Sequence, residues 1–178
     1  RRSATGNTKN IDHILGDITV HKGDLADTTS VYRSINAAKP AEIYNEADQD
    51  HAGWSFDAPD YSSDITGAAV GRILEIIRQT DPHIRYLQPL TSNMFGKTDI
   101  IPQNEQTPLR PQSPYACAKA YAYYITQNYR ESYGMFISNG ILFNHESERR
   151  GESFVTRKIT LCIRDIVRGR ESHITLGN

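Results

Sequence analysis

A tyrosine and a lysine spaced four residues apart, Tyr115 and Lys119, have the clearest potential for chemistry in this sequence. Residues four apart on a helix lie on the same face, one turn from each other. A free phenol, with a pKa of about 10, is a poor source of a base at neutral pH. An ammonium one turn away stabilises the phenolate and lowers that pKa, as general-base catalysis requires. Because such pairs also occur on ordinary helices, the surrounding sequence decides whether this pair is catalytic.

Composition limits the classes of function. The chain has 178 residues, which fits one domain or a large part of one. Its net charge of −1 gives no electrostatic footprint for nucleic acid or for an anionic membrane, so we expect neither as a partner. No run of about 18 apolar residues suggests a membrane span. The two cysteines, Cys117 and Cys162, lack metal-ligand spacing and predict reduced thiols in a cytoplasmic protein with no metal site.

Short β-prone segments alternate with helical ones along the chain. Predicted strands cover residues 18–21, 41–45, 84–90 and 136–143, and predicted helices include 31–38, 61–79, 115–133 and 154–167. This order predicts an α/β fold, a Rossmann-like doubly wound parallel sheet with helices on both faces. Ligands of such sheets bind beyond the carboxyl ends of the strands. The polar residues that follow the predicted strands are therefore expected at one edge, namely Asp24, Asn45, Thr91 and Asn144.

Four stretches carry a more specific signal than the order of elements. They are residues 113–119 (SPYACAK), 128–135 (NYRESYGM), 139–147 (NGILFNHES) and 149–160 (RRGESFVTRKIT). Together they resemble the extended short-chain dehydrogenase/reductase superfamily and, within it, the GDP-mannose 4,6-dehydratases. The resemblance spans nearly the whole chain. It implies an NADP-dependent lyase of deoxyhexose biosynthesis that acts on a GDP-sugar, converts GDP-mannose to GDP-4-keto-6-deoxymannose, and assembles as a homodimer or homotetramer.

The resemblance also implies catalytic roles. Tyr115 would take the proton from the sugar O4, Lys119 would lower the Tyr115 pKa and bind the nicotinamide ribose, and Thr91 would hydrogen-bond O4. The residue two positions after Thr91 is usually a glutamate that removes the C5 proton, but here it is Asn93. A neutral amide has no useful basicity, so we expect oxidation at C4 to survive and elimination to be impaired unless another base replaces the glutamate. The downstream carboxylates Asp99 and Glu105 are the candidates.

Binding positions follow from the same resemblance. Arg1, Arg2 and Ser3 match a segment that pairs with the 2′-phosphate of NADP, for which arginine is well suited. Asp24 and Leu25 match positions that contact the adenine. The other cofactor positions implied are Ala47, Gln49, Asp50, Tyr61, Lys119, His145 and Arg150, and those implied for the GDP part of the substrate are Asn144 and Lys158. Asp48 and Asp50 replace residues that are usually small, and negative charge near a phosphate is unfavourable.

The glycine-rich phosphate loop of dinucleotide-binding proteins does not occur in this sequence. In the family it precedes the position where this sequence starts, and family members continue beyond its last residue. We therefore expect 1–178 to be the interior portion of an NADP-binding Rossmann-like domain, truncated at both ends. The start of the nucleotide-sugar-binding portion is expected at about 145–178. NADP should bind weakly without that loop.

Two other functions remain open at this stage. One is a GDP-sugar 4-oxidoreductase or epimerase that lacks the elimination step, which Asn93 favours. The other is a degenerate, non-catalytic homologue that binds a nucleotide sugar, which Asn93, the acidic Asp48 and Asp50 and the absent glycine loop favour. Retention of Thr91, Tyr115 and Lys119 argues against the second, because a pure binding protein has no chemical need for them. The sugar itself could be mannose or a near relative such as a heptose.

Overall fold

The computed structural model describes Thr8 and residues 10–176. The chain divides into two compact units after Phe143. Among the described residues, three parallel strands form the sheet of the first unit, in the order β1 (Glu42–Tyr44), β2 (Arg85–Thr91), β3 (Ile137–Leu142). Parallel neighbours require crossover connections, which the intervening helices supply. The predicted α/β fold with a parallel sheet is confirmed.

Helices of the first unit begin and end where the sequence provides caps. Helix α1 (Thr28–Ala38) begins after Asp27, whose side chain accepts a hydrogen bond from the backbone N–H of Thr29. Two further helices, α2 (Pro59–Ser62) and α3 (Ala69–Thr80), are joined by a π-helical turn, Ser63–Ala68. The single long helix predicted over 61–79 is therefore continuous but contains this wider turn.

Helix α4 (Pro114–Tyr133) carries the Tyr–Lys pair. The side chain of Ser113 caps its start by accepting from the backbone N–H of Ala116, and Gly134 ends it in a left-handed conformation with φ 64°. The π-helical turn packs closely on α4, because a Cβ added at Gly67 would lie 3.3 Å from the carbonyl oxygen of Ala118. A residue without a side chain at this position lets α4 approach the neighbouring helix closely.

The core lies between the sheet and the helices α3 and α4. Its fully buried side chains come from both helices, from β2 and from the turn after it, and include Leu74, Ile77, Tyr86, Met94 and Ala122. Because α4 packs on both β2 and β3, this core holds α4 against the sheet. The Tyr–Lys pair therefore lies on a helix that the core supports.

The strand predicted at residues 18–21 is wrong. These residues make no strand in the part of the chain that the structure describes, and the Val20 side chain is 61% exposed. A β-prone segment becomes a strand only where a neighbour pairs with its backbone N–H and C=O groups. No such neighbour is present beside it among the described residues. The other three predicted strands are present within two residues of their predicted bounds.

Glu75 on α3 forms an ion pair within its own helix and a hydrogen bond to α4. Its carboxylate pairs with Arg78 at 2.7 Å, accepts from Gln79, and accepts from the Tyr129 hydroxyl at 3.1 Å. The hydrogen bonds from Arg78 and then Gln79 lower the pKa of Glu75 to about 2. A lowered pKa means that this stabilisation is present above the ordinary carboxyl pKa of 4.5 and is lost as the pH falls towards about 2.

Replacing Glu75 by glutamine should therefore lower the free energy of unfolding at pH 7. We expect a loss of about 0.5 kcal/mol, since the side chain is 43% exposed and solvent screens the pair. The difference from the unchanged protein should shrink as the pH falls from 4.5 towards about 2. Urea denaturation over this pH range tests it, with Glu131→Gln on the exposed surface of α4 as the control. A loss that does not depend on pH would contradict this electrostatic explanation.

The second unit contains helix α5 (Val155–Val167). Its Lys158 ammonium donates to the carbonyl oxygen of Thr175 at 2.6 Å, which holds the segment after the helix along its side. Before the helix, the Arg150 guanidinium lies 3.5 Å from the centre of the Phe154 ring. In neither unit do the described residues include a helix both long enough and apolar enough to cross a bilayer.

Candidate active site

Tyr115 and Lys119 lie on one face of α4, as their spacing predicts, and both residues are buried. Their residue exposures are 7% and 4%, so both are almost completely removed from solvent. The Lys119 ammonium nitrogen lies 5.9 Å from the centre of the Tyr115 ring. It also donates to the carbonyl oxygen of Pro89 on β2 at 2.8 Å. A fixed positive charge next to a buried phenol is the arrangement that favours a phenolate.

The carbonyl that anchors Lys119 belongs to a buried polar cluster that sequence reasoning missed. The Gln88 amide donates to the same Pro89 oxygen at 3.0 Å. Its own side-chain oxygen accepts from the Tyr86 hydroxyl at 2.6 Å and from the Asn45 amide at 3.0 Å. Burial raises the pKa of Tyr86, so this phenol remains a donor. The cluster fixes the Pro89 carbonyl and thereby the position of Lys119.

Asp48 forms an ion pair with Lys119, which the sequence did not predict. The Asp48 carboxylate oxygen lies 2.5 Å from the ammonium nitrogen, and the two side chains are 13% and 5% exposed. Burial raises the pKa of Asp48 above its ordinary value; the Lys119 ammonium opposes that rise, and the Asp50 carboxylate adds to it. A negative charge is therefore in direct contact with the predicted catalytic lysine.

Thr91 and Asn93 occupy the carboxyl end of β2. The Thr91 side-chain oxygen accepts from the backbone N–H of Asn93 at 3.2 Å and so caps the short helical turn Ser92–Phe95. This use of the oxygen leaves the hydroxyl proton available for donation. Thr91 is half-buried, whereas Asn93 is exposed. The candidate replacement base Glu105 is also exposed and lines a cleft of about 500 Å³ with Phe95.

Four of the predicted cofactor positions line one cleft of about 520 Å³. They are Asp24, Leu25, Ala47 and Tyr61, and the cleft is also lined by Asp48. Its apolar walls, which include Val31, Ile43 and Ile65, can hold a flat base, and its carboxylates can accept hydrogen bonds from a ribose. Among the described residues, the lining includes no lysine or arginine. The lining therefore fits the nucleoside part of a dinucleotide better than the phosphates.

A second unpredicted contact holds one wall of this cleft. The guanidinium of Arg72 donates twice to the carbonyl oxygen of Leu25, at 2.9 and 3.2 Å, and pairs with Asp64 at 2.7 Å. Arg72 thereby attaches the segment before α1 to α3. No local sequence signal joins residues this far apart along the chain.

Two further predicted positions of the first unit, Gln49 and Asp50, do not line this cleft. Gln49 is buried, accepts from the Ser62 hydroxyl and donates to the His51 carbonyl, so its side chain supports the loop. Asp50 is exposed. The other predictions fall on residues of the second unit, Asn144, His145, Arg150 and Lys158, or on Arg1, Arg2 and Ser3, which lie outside the described residues. Their roles stay predictions.

The described residues include no group of three or more His, Cys, Asp or Glu side chains that could hold a metal ion.

Comparison with known proteins identifies the family of the chain. A family model described as "GDP-mannose 4,6 dehydratase" matches residues 1–178, the full length of the chain. The chain belongs to the GDP-mannose 4,6-dehydratase family. The resemblance inferred from the motifs around Tyr115 is thus confirmed.

Curated members of the family are similar to the whole chain. The GDP-mannose 4,6-dehydratase of Yersinia enterocolitica is 49% identical over 187 residues, which cover 100% of this chain and 50% of that protein. The Drosophila melanogaster and Homo sapiens proteins of the same description are 46% and 43% identical, again over 100% of this chain and over 48% and 50% of their own lengths. The chain therefore spans about half the length of the curated relatives it matches.

Solved structures confirm the Rossmann-like fold. The NAD complex of UDP-glucose 4-epimerase from Thermus thermophilus has a TM-score of 0.80 and 22% identity, covering 93% of this chain and 53% of that one. The NADPH complex of RMD from Pseudomonas aeruginosa has a TM-score of 0.80 and 18% identity, covering 92% of this chain and 58% of that one. At such identities the likeness concerns the fold alone.

Proposed function

We propose that this chain carries the catalytic tyrosine and lysine of an NADP-dependent GDP-mannose 4,6-dehydratase. The single observation that carries the proposal is the buried pair on α4, with the Lys119 ammonium held at the Pro89 carbonyl and 5.9 Å from the Tyr115 ring. The family membership of the chain supports the choice of reaction. The chain spans about half the length of its relatives, so the proposal concerns the activity of the protein that carries this sequence.

In this proposal Tyr115 acts as the base that removes the proton from the sugar O4. Lys119 stabilises the phenolate and donates to the nicotinamide ribose, and the Thr91 hydroxyl donates to O4. When bound, NADP would supply a reversible acceptor for the C4 hydride, which is needed again at C6. The 4-keto group acidifies the C5 proton, so that loss of this proton and of the C6 hydroxyl releases water, and a hydride at C6 and a proton at C5 then complete the 6-deoxy sugar. There is no net oxidation of the sugar.

The cofactor residues in this proposal divide into two groups. Asp24, Leu25, Ala47 and Tyr61 line the cleft that fits a nucleoside, and we assign to it the adenosine of NADP. The family resemblance supports the roles of the others: Arg1, Arg2 and Ser3 at the 2′-phosphate, Gln49 and Asp50 along the cofactor, and His145 and Arg150 near the nicotinamide. We assign Asn144 and Lys158 to the GDP part of the substrate. A homodimer or homotetramer is part of the same proposal.

A second candidate function rests on Asn93. An exposed neutral amide at the position of the usual base favours an enzyme that oxidises C4 and stops before elimination, a GDP-sugar 4-oxidoreductase or epimerase. The exposed Glu105 is the alternative base if elimination proceeds. We favour the dehydratase with slow elimination, since the chain matches the dehydratase family over its full length.

The mass of the product distinguishes these candidates. The protein that carries this sequence is incubated with GDP-mannose and NADP, and the nucleotide sugar is analysed by mass spectrometry. A dehydratase yields a sugar that has lost one water. A 4-keto sugar that retains its C6 hydroxyl supports the oxidoreductase, and an unchanged sugar in a protein that also fails to bind NADPH supports the non-catalytic homologue.

A further inference from the structure

The ion pair between Asp48 and Lys119 lies inside the proposed active site, although no role in the reaction requires it. Asp48 lies in the loop after β1, and Lys119 lies on α4. The 2.5 Å contact joins the two elements where both side chains are shielded from water. A buried carboxylate at this distance from an ammonium cancels most of the charge that the ammonium presents to its other neighbours.

The ion pair also occupies one of the N–H donors of Lys119. A lysine ammonium has three N–H donors. One is directed to the Pro89 carbonyl and another to the Asp48 carboxylate. One donor therefore remains for Tyr115 and for a cofactor ribose. The same carboxylate lines the cleft with Ala47 and Tyr61, where it also opposes the negative charge of a dinucleotide phosphate.

We propose that Asp48 is a positioning residue that controls how strongly Lys119 acts on Tyr115 and on an anionic dinucleotide in the cleft. This inference rests on the proposed function for its dinucleotide part. With the ion pair closed, the Lys119 charge is directed to Asp48, so the Tyr115 phenolate and the cofactor are both less stabilised. When the Asp48 charge is removed, the full positive charge of the Lys119 ammonium stabilises both the Tyr115 phenolate and the cofactor.

The charged groups that face Asp48 give this effect a pH dependence. Lys119 on α4 opposes the rise in its pKa that burial causes, and Asp50 in the same loop adds to that rise. Protonation at acid pH therefore removes the Asp48 charge more readily than that of an ordinary aspartate. The unchanged protein should then behave increasingly like a variant with no charge at position 48.

The first test needs no cofactor. Tyrosine labelled with ¹³C at Cζ gives one signal per residue by nuclear magnetic resonance, and Tyr115→Phe assigns the signal of Tyr115. The signal is titrated in the unchanged protein, in Asp48→Asn, which keeps the size of the side chain, and in Asp48→Ala. We expect the Tyr115 midpoint to move to lower pH in both variants, because the uncompensated ammonium favours the phenolate.

Asp57→Asn is the matched control, since Asp57 is an exposed aspartate of the same connection between β1 and α2. It should leave the Tyr115 midpoint unchanged. The inference is overturned if Asp48→Asn and the unchanged protein titrate at the same pH, if Tyr115 stays protonated up to the unfolding pH in both, or if Asp57→Asn shifts the midpoint equally.

The second test measures NADPH binding by fluorescence. At pH 7.5, Asp48→Asn should bind NADPH roughly tenfold more tightly than the unchanged protein, and this ratio should fall as the pH is lowered. Equal binding by the two proteins overturns the inference and leaves the proposed function in place. A Tyr115 midpoint that moves as expected, in proteins that all fail to bind NADPH, contradicts the proposed function and supports the control of Lys119 by Asp48.

Discussion

Replacing Tyr115 by phenylalanine should lower the turnover of GDP-mannose by about 10³-fold. The phenol is the group of the proposed site that the Lys119 ammonium prepares to accept the O4 proton, and phenylalanine keeps the ring while it removes the base. Because Tyr115 is buried on the face of α4 that packs on the core, the retained ring should preserve the fold. Turnover is measured from the rate of formation of the dehydrated sugar, together with NADPH binding.

Tyr124→Phe is the matched control for this prediction. Tyr124 lies on the same helix, but its side chain is 58% exposed and its ring packs on that of Tyr123. Its hydroxyl should be dispensable for turnover. Normal turnover by Tyr115→Phe, or an equal loss in both variants, would contradict the role of Tyr115 as the base. A loss of turnover with unchanged NADPH binding locates the defect in the chemical step.

Replacing Asn93 by glutamate should accelerate the elimination of water by about 10²-fold. A carboxylate at this position supplies the base for the C5 proton that the amide lacks. Asn93 is exposed, and the structure records its backbone N–H donating to Thr91, a bond that a change of side chain preserves. Rapid-quench sampling of one turnover measures the effect, because it separates oxidation at C4 from the loss of water.

Asn93→Gln provides the control, since glutamine has the size of glutamate without its basicity. It should leave the elimination rate close to that of the unchanged protein. An equal acceleration by glutamine would show that size rather than basicity limits the step. If neither variant changes the rate, the C5 base lies elsewhere, and Glu105→Gln should then stop elimination.

Local chemistry made much of this site predictable from the sequence. Ser113, Pro114 and Gly134 mark the start and end of α4 through capping and backbone conformation, which depend on neighbouring residues alone. The spacing of Tyr115 and Lys119 then places both on one face of that helix. The parallel sheet was predictable from the alternation of strands and helices, because hydrophobic periodicity and turn residues are also local features of the sequence.

Contacts between distant residues were not predictable in this way. The pairing of Asp48 with Lys119 depends on how the loop after β1 packs against α4, and the Gln88 cluster depends on the pairing of β1 with β2. The failed strand at 18–21 has the same cause, because strand formation depends on a partner rather than on β-propensity. Asp48 was recognised in the sequence as an unusual charge, and the structure identifies Lys119 as the group it contacts.

The most direct test of the proposed function follows one hydrogen atom. GDP-mannose that carries deuterium at C4 is incubated with NADP and the protein that carries this sequence, and the position of deuterium in the product is read by nuclear magnetic resonance. The dehydratase account predicts a sugar that has lost one water and carries the deuterium at C6. Deuterium that remains at C4, in a protein shown to bind NADPH, would contradict it.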